Sequence, residues 1–146
     1  MKRLLITLTV ALAALTMSAQ DQFLNKYSAM GDVSTYYTNG GNYDAFPEEF
    51  RAMLSRDRLN GKVKSVKLLY SDKLKAAKKL QNVAKDAKKN GYKEFYSDKK
   101  GCMLQHQSDP HNFIFVFSEN GATGVMSIRA TDEALKEMEE KQGMGK

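Results

Sequence analysis

Cysteine is nearly absent: Cys102 is the only one in 146 residues. No internal disulfide can form, so the fold must hold through its core. A domain of about 130 residues buries close to two-thirds of its unfolded surface, which is enough without staples. Long apolar runs are also missing after the first 19 residues, which excludes a later spanning helix of ~20 apolar residues. The motifs of common chemistry are missing too. GATG and NGG lack the frame of a glycine-rich phosphate loop. There is no nucleophile elbow and no helical His-Glu-x-x-His. Arginine does not occur between residues 62 and 100, where the lysines concentrate. That argues for diffuse attraction rather than bidentate phosphate recognition.

What is present begins with MKRLLITLTVALAALTMSAQ. Lys2 and Arg3 precede an apolar stretch from Leu4 to Leu15, and small residues follow at Ser18 and Ala19. This is the pattern of a secretory signal peptide, with cleavage expected after Ala19. The expected organisation is therefore a signal peptide over 1–19 and one α+β domain over 20–146, exported and either periplasmic or secreted. Losing Lys2 and Arg3 lowers the formal charge from +6 to +4.

The pattern along the remainder alternates. Phe23, Tyr27 and Met30 are helically spaced, and Gly31 ends that helix. VSTYYT (33–38) is β-branched and aromatic, hence a strand. Pro47 opens a second helix, expected to end near Asn60-Gly61. KVKSVKLLY (62–70) reads as a strand with Val66, Leu68 and Tyr70 on one side. One helix is expected from Asp72 to Asn90, capped by Ser71 or Asp72 and closed by Gly91. Ala76, Leu80, Val83, Ala84 and Ala87 form its apolar stripe, opposite Lys75, Lys78, Lys85 and Lys89.

Four strands should follow, over 92–97, 102–107, 112–118 and 122–130, with a hairpin at Asn120-Gly121. Phe113, Phe115 and Phe117 share one face of the third, and Ile114 and Val116 share the other. Such a strand belongs inside a sheet covered on both sides. Thr131 caps a last helix, and KQGMGK (141–146) is expected to fray. The predicted fold is α+β: a largely antiparallel sheet ending in a four-strand meander, with helices packed mainly on one face.

These elements resemble a family of small exported Bacteroidetes proteins catalogued as a domain of unknown function. The likeness rests on FLNKY (Phe23, Lys26, Tyr27), Val33 and Tyr36, and KVKSVKLLY. It continues through the lysine-rich helix closing on Asn90-Gly91-Tyr92, then FIFVF and GVMSIRAT. The loop TNGGNYDAFPEEF departs from it. The resemblance implies export and an envelope location. It carries no catalytic residues to transfer.

The strongest functional signal is LKAAKKLQNVAKDAKK (74–89), with six lysines and one aspartate. Lys75, Lys78, Lys79, Lys85, Lys88 and Lys89 are the anion-binding candidates. Like-charge pairs such as Lys75/Lys79 and Lys85/Lys89 cost about 0.2–0.5 kcal/mol each in an exposed helix. Either acids elsewhere, such as Glu137 and Glu140, relieve that repulsion, or an anionic partner does. An exported protein meets anionic lipid, lipopolysaccharide, acidic glycans or another envelope protein. Nucleic acid is not expected, because the helix offers no aromatic platform among its lysines.

A second cluster, CMLQHQSDPH, places Cys102, His106, Asp109 and His111 within ten residues. All four are metal-ligand types, but their spacing fits no standard zinc pattern. A Cys102–His106 nucleophile pair is the alternative, with Lys99 and Lys100 lowering the thiol pKa. Tyr36 and Tyr37 face opposite ways on a strand, leaving one exposed ring as a weak sugar platform. The leading expectation is a non-enzymatic binding module of the envelope, with no cofactor and no metal. The rivals are a thiol- or metal-dependent enzyme centred on Cys102 and His106, and a structural subunit of an envelope complex.

Overall fold

A computed structural model describes residues 19–39, 43–48, 50, 51 and 63–144. The expected signal peptide, apart from Ala19, lies outside the described residues, as does most of the helix expected after Pro47. A 3-10 turn, Ala19–Leu24, leads into the short helix α1, Asn25–Ser28. Six strands follow the expected pattern closely: β1 Ser34–Asn39, β2 Val63–Ser71, β3 Tyr92–Ser97, β4 Gly101–His106, β5 Asn112–Glu119 and β6 Ala122–Ala130. Between β2 and β3 lie α2, Leu74–Leu80, and α3, Val83–Lys89. The last helix is α4, Asp132–Met144. It is capped by the Thr131 hydroxyl, which accepts from the Ala134 amide at 3.2 Å. Helix persists through Met144, into the stretch expected to fray.

The strands form one sheet in the order β1-β2-β6-β5-β4-β3, with every neighbouring pair antiparallel. β3 to β6 make the predicted meander, and β2 docks on its last strand. Four antiparallel steps separate β2 from β3, so those two strands run in the same direction. The connection between them must cross the sheet, and α2 and α3 are that crossing. The β5–β6 hairpin turns at Asn120 and Gly121, whose φ values are 54° and 81°. Positive φ at both central residues matches the right-handed twist of the flanking strands.

Strand parity sends two sets of side chains to two faces. Leu69, Leu104, Ile114, Val116 and Val125 pack with Leu24, Tyr27, Leu80, Val83 and Ala87. Val66, Leu68, Phe113, Met126 and Ile128 pack with Tyr43, Phe46, Phe50 and Ala134. β5 feeds both clusters, as its apolar alternation requires. Gly124 makes the second face possible: a Cβ there would lie 2.7 Å from Phe117 Cζ and 3.1 Å from Phe50 Cε1. The Phe50 and Phe117 rings meet over it at 5.1 Å.

Edge strand β3 is bulged between Glu94 and Tyr96. The Phe95 ring leans on Phe113 at 5.9 Å. A bulge with flanking charges blunts an edge against unwanted pairing.

Candidate functional site: the lysine face

The apolar stripe predicted for residues 72–90 is the buried one. Ala76, Leu80, Val83 and Ala87 are buried, Ala84 is half-buried, and Ala77 joins them. The small side chains let the helix backbones approach the sheet. The expected single helix is nonetheless two. At Gln81 the amide still reaches four residues back, to the Ala77 carbonyl. At Asn82 it reaches only three, to Lys79, before Asp86 resumes the longer spacing with Asn82. This tight turn lets α2 lie over β2 and β6 while α3 follows β3, β4 and β5. The Gln81 amide donates to the Ser118 and Thr123 hydroxyls at 3.3 and 3.4 Å, pinning the turn above the β5–β6 hairpin. A side chain reading polar in sequence thus anchors the break.

The cap also differs. Lys73 occupies the N-cap position of α2 with extended backbone and no side-chain bond. Ser71, expected as a cap, instead accepts from the Lys73 amide at 3.1 Å, one step before the helix. Gly91 closes α3 as predicted, with φ of 90°. A Cβ on it would lie 2.7 Å from His106 Nε2.

Lys75, Lys78, Lys79, Lys85, Lys88 and Lys89 are all exposed. Only Lys88 among them makes an ion pair with a described residue, at 3.7 Å to Glu94. The single acid between 74 and 89 is committed elsewhere. Asp86 accepts from Lys26 Nζ at 2.7 Å and from the Tyr27 hydroxyl. The Lys26 and Tyr27 bonds hold its carboxyl below the usual carboxylate range. Burial, with Asp86 beside it, pushes the Tyr27 phenol well above its ordinary value. Lys26 thereby docks α1 on α3 and offsets the one negative charge within 74–89. Nothing in the sequence spacing announced that contact, since 59 residues separate Tyr27 from Asp86. α4, which carries Glu137 and Glu140, is anchored through Ala134 and Leu135 on the opposite sheet face.

Not every lysine of this region is a surface cation. Lys67 is 2 % exposed on β2, opposite in parity to Val66 and Leu68, and pairs across the sheet with Tyr37 and Ser127.

The second cluster is pulled apart. Cys102 and His106 share one face of β4, but four residues of strand separate their Cα atoms by about 13 Å. Burial pushes the Cys102 thiol up, and the Glu94 carboxylate beside it adds to the shift. Lys99 and Lys100 therefore do not set its reactivity. His106 is itself buried, with Nδ1 accepting from the Ser108 and Asp109 amides at 3.1 Å each. Its ring stands edge-on to Tyr92 at 4.9 Å. The turn at Asp109-Pro110 carries His111 to α4 rather than back to Cys102. Nε2 of His111 lies 2.5 Å from Asp132, and Nδ1 lies 3.5 Å from Asp109. Arg129 donates to Asp109 at 3.0 Å and to Asn112 at 2.8 Å. Burial alone would raise the Asp109 carboxyl, but the Arg129 and His111 contacts bring it below its ordinary value. These residues tie the β4–β5 loop to β6 and the start of α4. Among the described residues, no group of three His, Cys, Asp or Glu side chains could hold a metal ion. Tyr36 and Tyr37 are both half-buried, with Tyr36 against Phe46 at 5.8 Å.

No described helix is long and apolar enough to cross a membrane. Comparison with protein-family models, with curated proteins and with solved structures returned no match.

Proposed function

We propose that this chain is an exported, non-enzymatic binding module of the cell envelope that engages anionic envelope components through its lysine face. One observation carries the reading. α2 and α3 hold six exposed lysines in place, while the only acid among them is paired with Lys26 and accepts from the Tyr27 hydroxyl, both from another element. Among the described residues, only Lys88 of the six has an acidic partner, Glu94, so most of this cationic surface is left unpaired by them. Export is supported by Lys2, Arg3, the apolar stretch to Leu15 and the small residues at 18 and 19. The resemblance to the Bacteroidetes family supports the same location.

Dextran sulfate, a soluble polyanion, is the direct probe. Binding is expected at low ionic strength and should weaken steeply as salt rises, because exposed charges are screened beyond the Debye length. A variant combining Lys78→Glu, Lys85→Glu and Lys89→Glu should lose it while remaining folded. Wild-type protein that ignores the polymer at low salt overturns the reading.

A further inference from the structure

Three large apolar side chains are exposed among the described residues: Leu74, Phe95 and Tyr96. Two of them are partly employed at the sheet edge. Phe95 rests on Phe113, and the Tyr96 hydroxyl donates to Asp98 at 2.9 Å. Leu74 is different. It is 66 % exposed and begins α2 between Lys73 and Lys75. Lys78 follows one helical turn later on the same side. A solitary exposed leucine is ordinary on a protein surface. This one stands inside the cationic face, which makes its position informative about the ligand.

A soluble polyanion gains nothing from a leucine set among the lysines. A bilayer does. Lysine ammonium groups reach lipid phosphates while their alkyl stems lie along the apolar boundary, and a leucine between them enters that boundary. α2 and α3 each run along the surface for about 10 Å at helical rise, together several headgroups wide. The helices lie flat on the sheet rather than end-on, so their outer side can meet a plane. Building on the anion-binding reading above, we infer that the ligand of this face is the surface of a bilayer rich in anionic phospholipid, with Leu74 as the inserting side chain and Lys73, Lys75 and Lys78 as its headgroup contacts.

The chain contains no tryptophan, so Leu74→Trp places a single reporter at the point in question. The tested chain begins at Gln20: the apolar N-terminal stretch would otherwise bind lipid itself, and all but one residue of the described fold lies from there onward. Equimolar phosphatidylglycerol–phosphatidylcholine vesicles should shift the Leu74→Trp emission to the blue, and dextran sulfate should not. Leu74→Ser should weaken vesicle binding about tenfold, the loss expected for withdrawing one leucine side chain from an apolar phase. It should leave dextran sulfate affinity unchanged. Vesicle binding with no blue shift and no effect of Leu74→Ser overturns the insertion, leaving the polyanion reading intact. An equal loss of both ligands on Leu74→Ser overturns it as well. Failure of the wild-type chain to bind either ligand removes the underlying reading itself.

Discussion

On one face of the sheet α2 and α3 meet the strands through small side chains; on the other the cover is built from rings. The lysine side packs Ala76, Ala77, Leu80, Val83 and Ala87 close to the strands. The far side stacks Tyr43, Phe46 and Phe50 against Tyr36, Tyr70 and Phe117. The difference has a physical basis. A helix whose contact residues are alanines can approach the sheet closely, and its outer side is then free to carry charge. The other face is filled instead by bulky rings, which bury much area per residue. The exposed lysines accordingly lie on the side whose inner contacts are made by small residues.

The largest test of that contrast is Phe50→Ala. Phe50 is 1 % exposed and touches Tyr70 and Phe117 at 5.4 and 5.1 Å. Its removal should cost about 3–5 kcal/mol in denaturant unfolding, through lost transfer energy and a residual cavity. The opposite manipulation belongs on the other face. Ala87 is fully buried where α3 meets the sheet. Ala87→Leu should destabilise by about 1–3 kcal/mol, because the added methylenes have no space. A neutral Ala87→Leu would mean that the helix stands off the sheet, and the proposed asymmetry would be lost.

The third test concerns how α1 is fastened to the lysine side. Asp86 is held below its usual pKa, so the unfolded state binds more protons as pH falls under 3.8. Its stabilisation is complete above that value and is lost as pH drops through the folded pKa. Tyr27 is shifted upward, so its part is complete below pH 10.0 and is lost as pH rises beyond that point. Asp86→Asn should therefore cost about 1 kcal/mol at neutral pH and flatten the acid limb of the stability profile. An unchanged acid limb in urea titrations would assign the acid sensitivity to other carboxylates.

The strands and their facing were legible from period-two patterning, and the lysine stripe from helical spacing. Ile114 and Val116 against Phe113, Phe115 and Phe117 sufficed to place β5 inside the sheet. The break at Gln81-Asn82 was not legible. Neither residue is a helix breaker, and the turn follows from the need to cross from β2 to the far edge strand. The Lys26–Asp86 contact was hidden for a related reason, because it joins elements far apart in sequence. Cys102, His106, Asp109 and His111, close in sequence, do not gather into one group, because proximity along a strand is separation in space. The local bonds of His106 to the amides at 108 and 109 absorb a side chain that looked chemical.

The smallest stability effect is the most telling about the lysine side. Lys75 sits in the first turn of α2, at the end of the helix that favours negative charge. It is also four residues before Lys79, so a glutamate there would exchange a like-charge pair for an attractive one in the better orientation. Lys75→Glu should therefore leave the fold intact and raise stability by about 0.2–0.5 kcal/mol. On the vesicles described above, the same change should weaken binding at least about fivefold, since each lysine near an anionic surface contributes roughly 1 kcal/mol. Opposite signs in the two measurements separate a surface shaped by a ligand from one that merely keeps a helix wet. If Lys75→Glu stabilises the protein and leaves vesicle affinity untouched, the lysine is only hydrated, and the contrast between the two faces is one of packing alone.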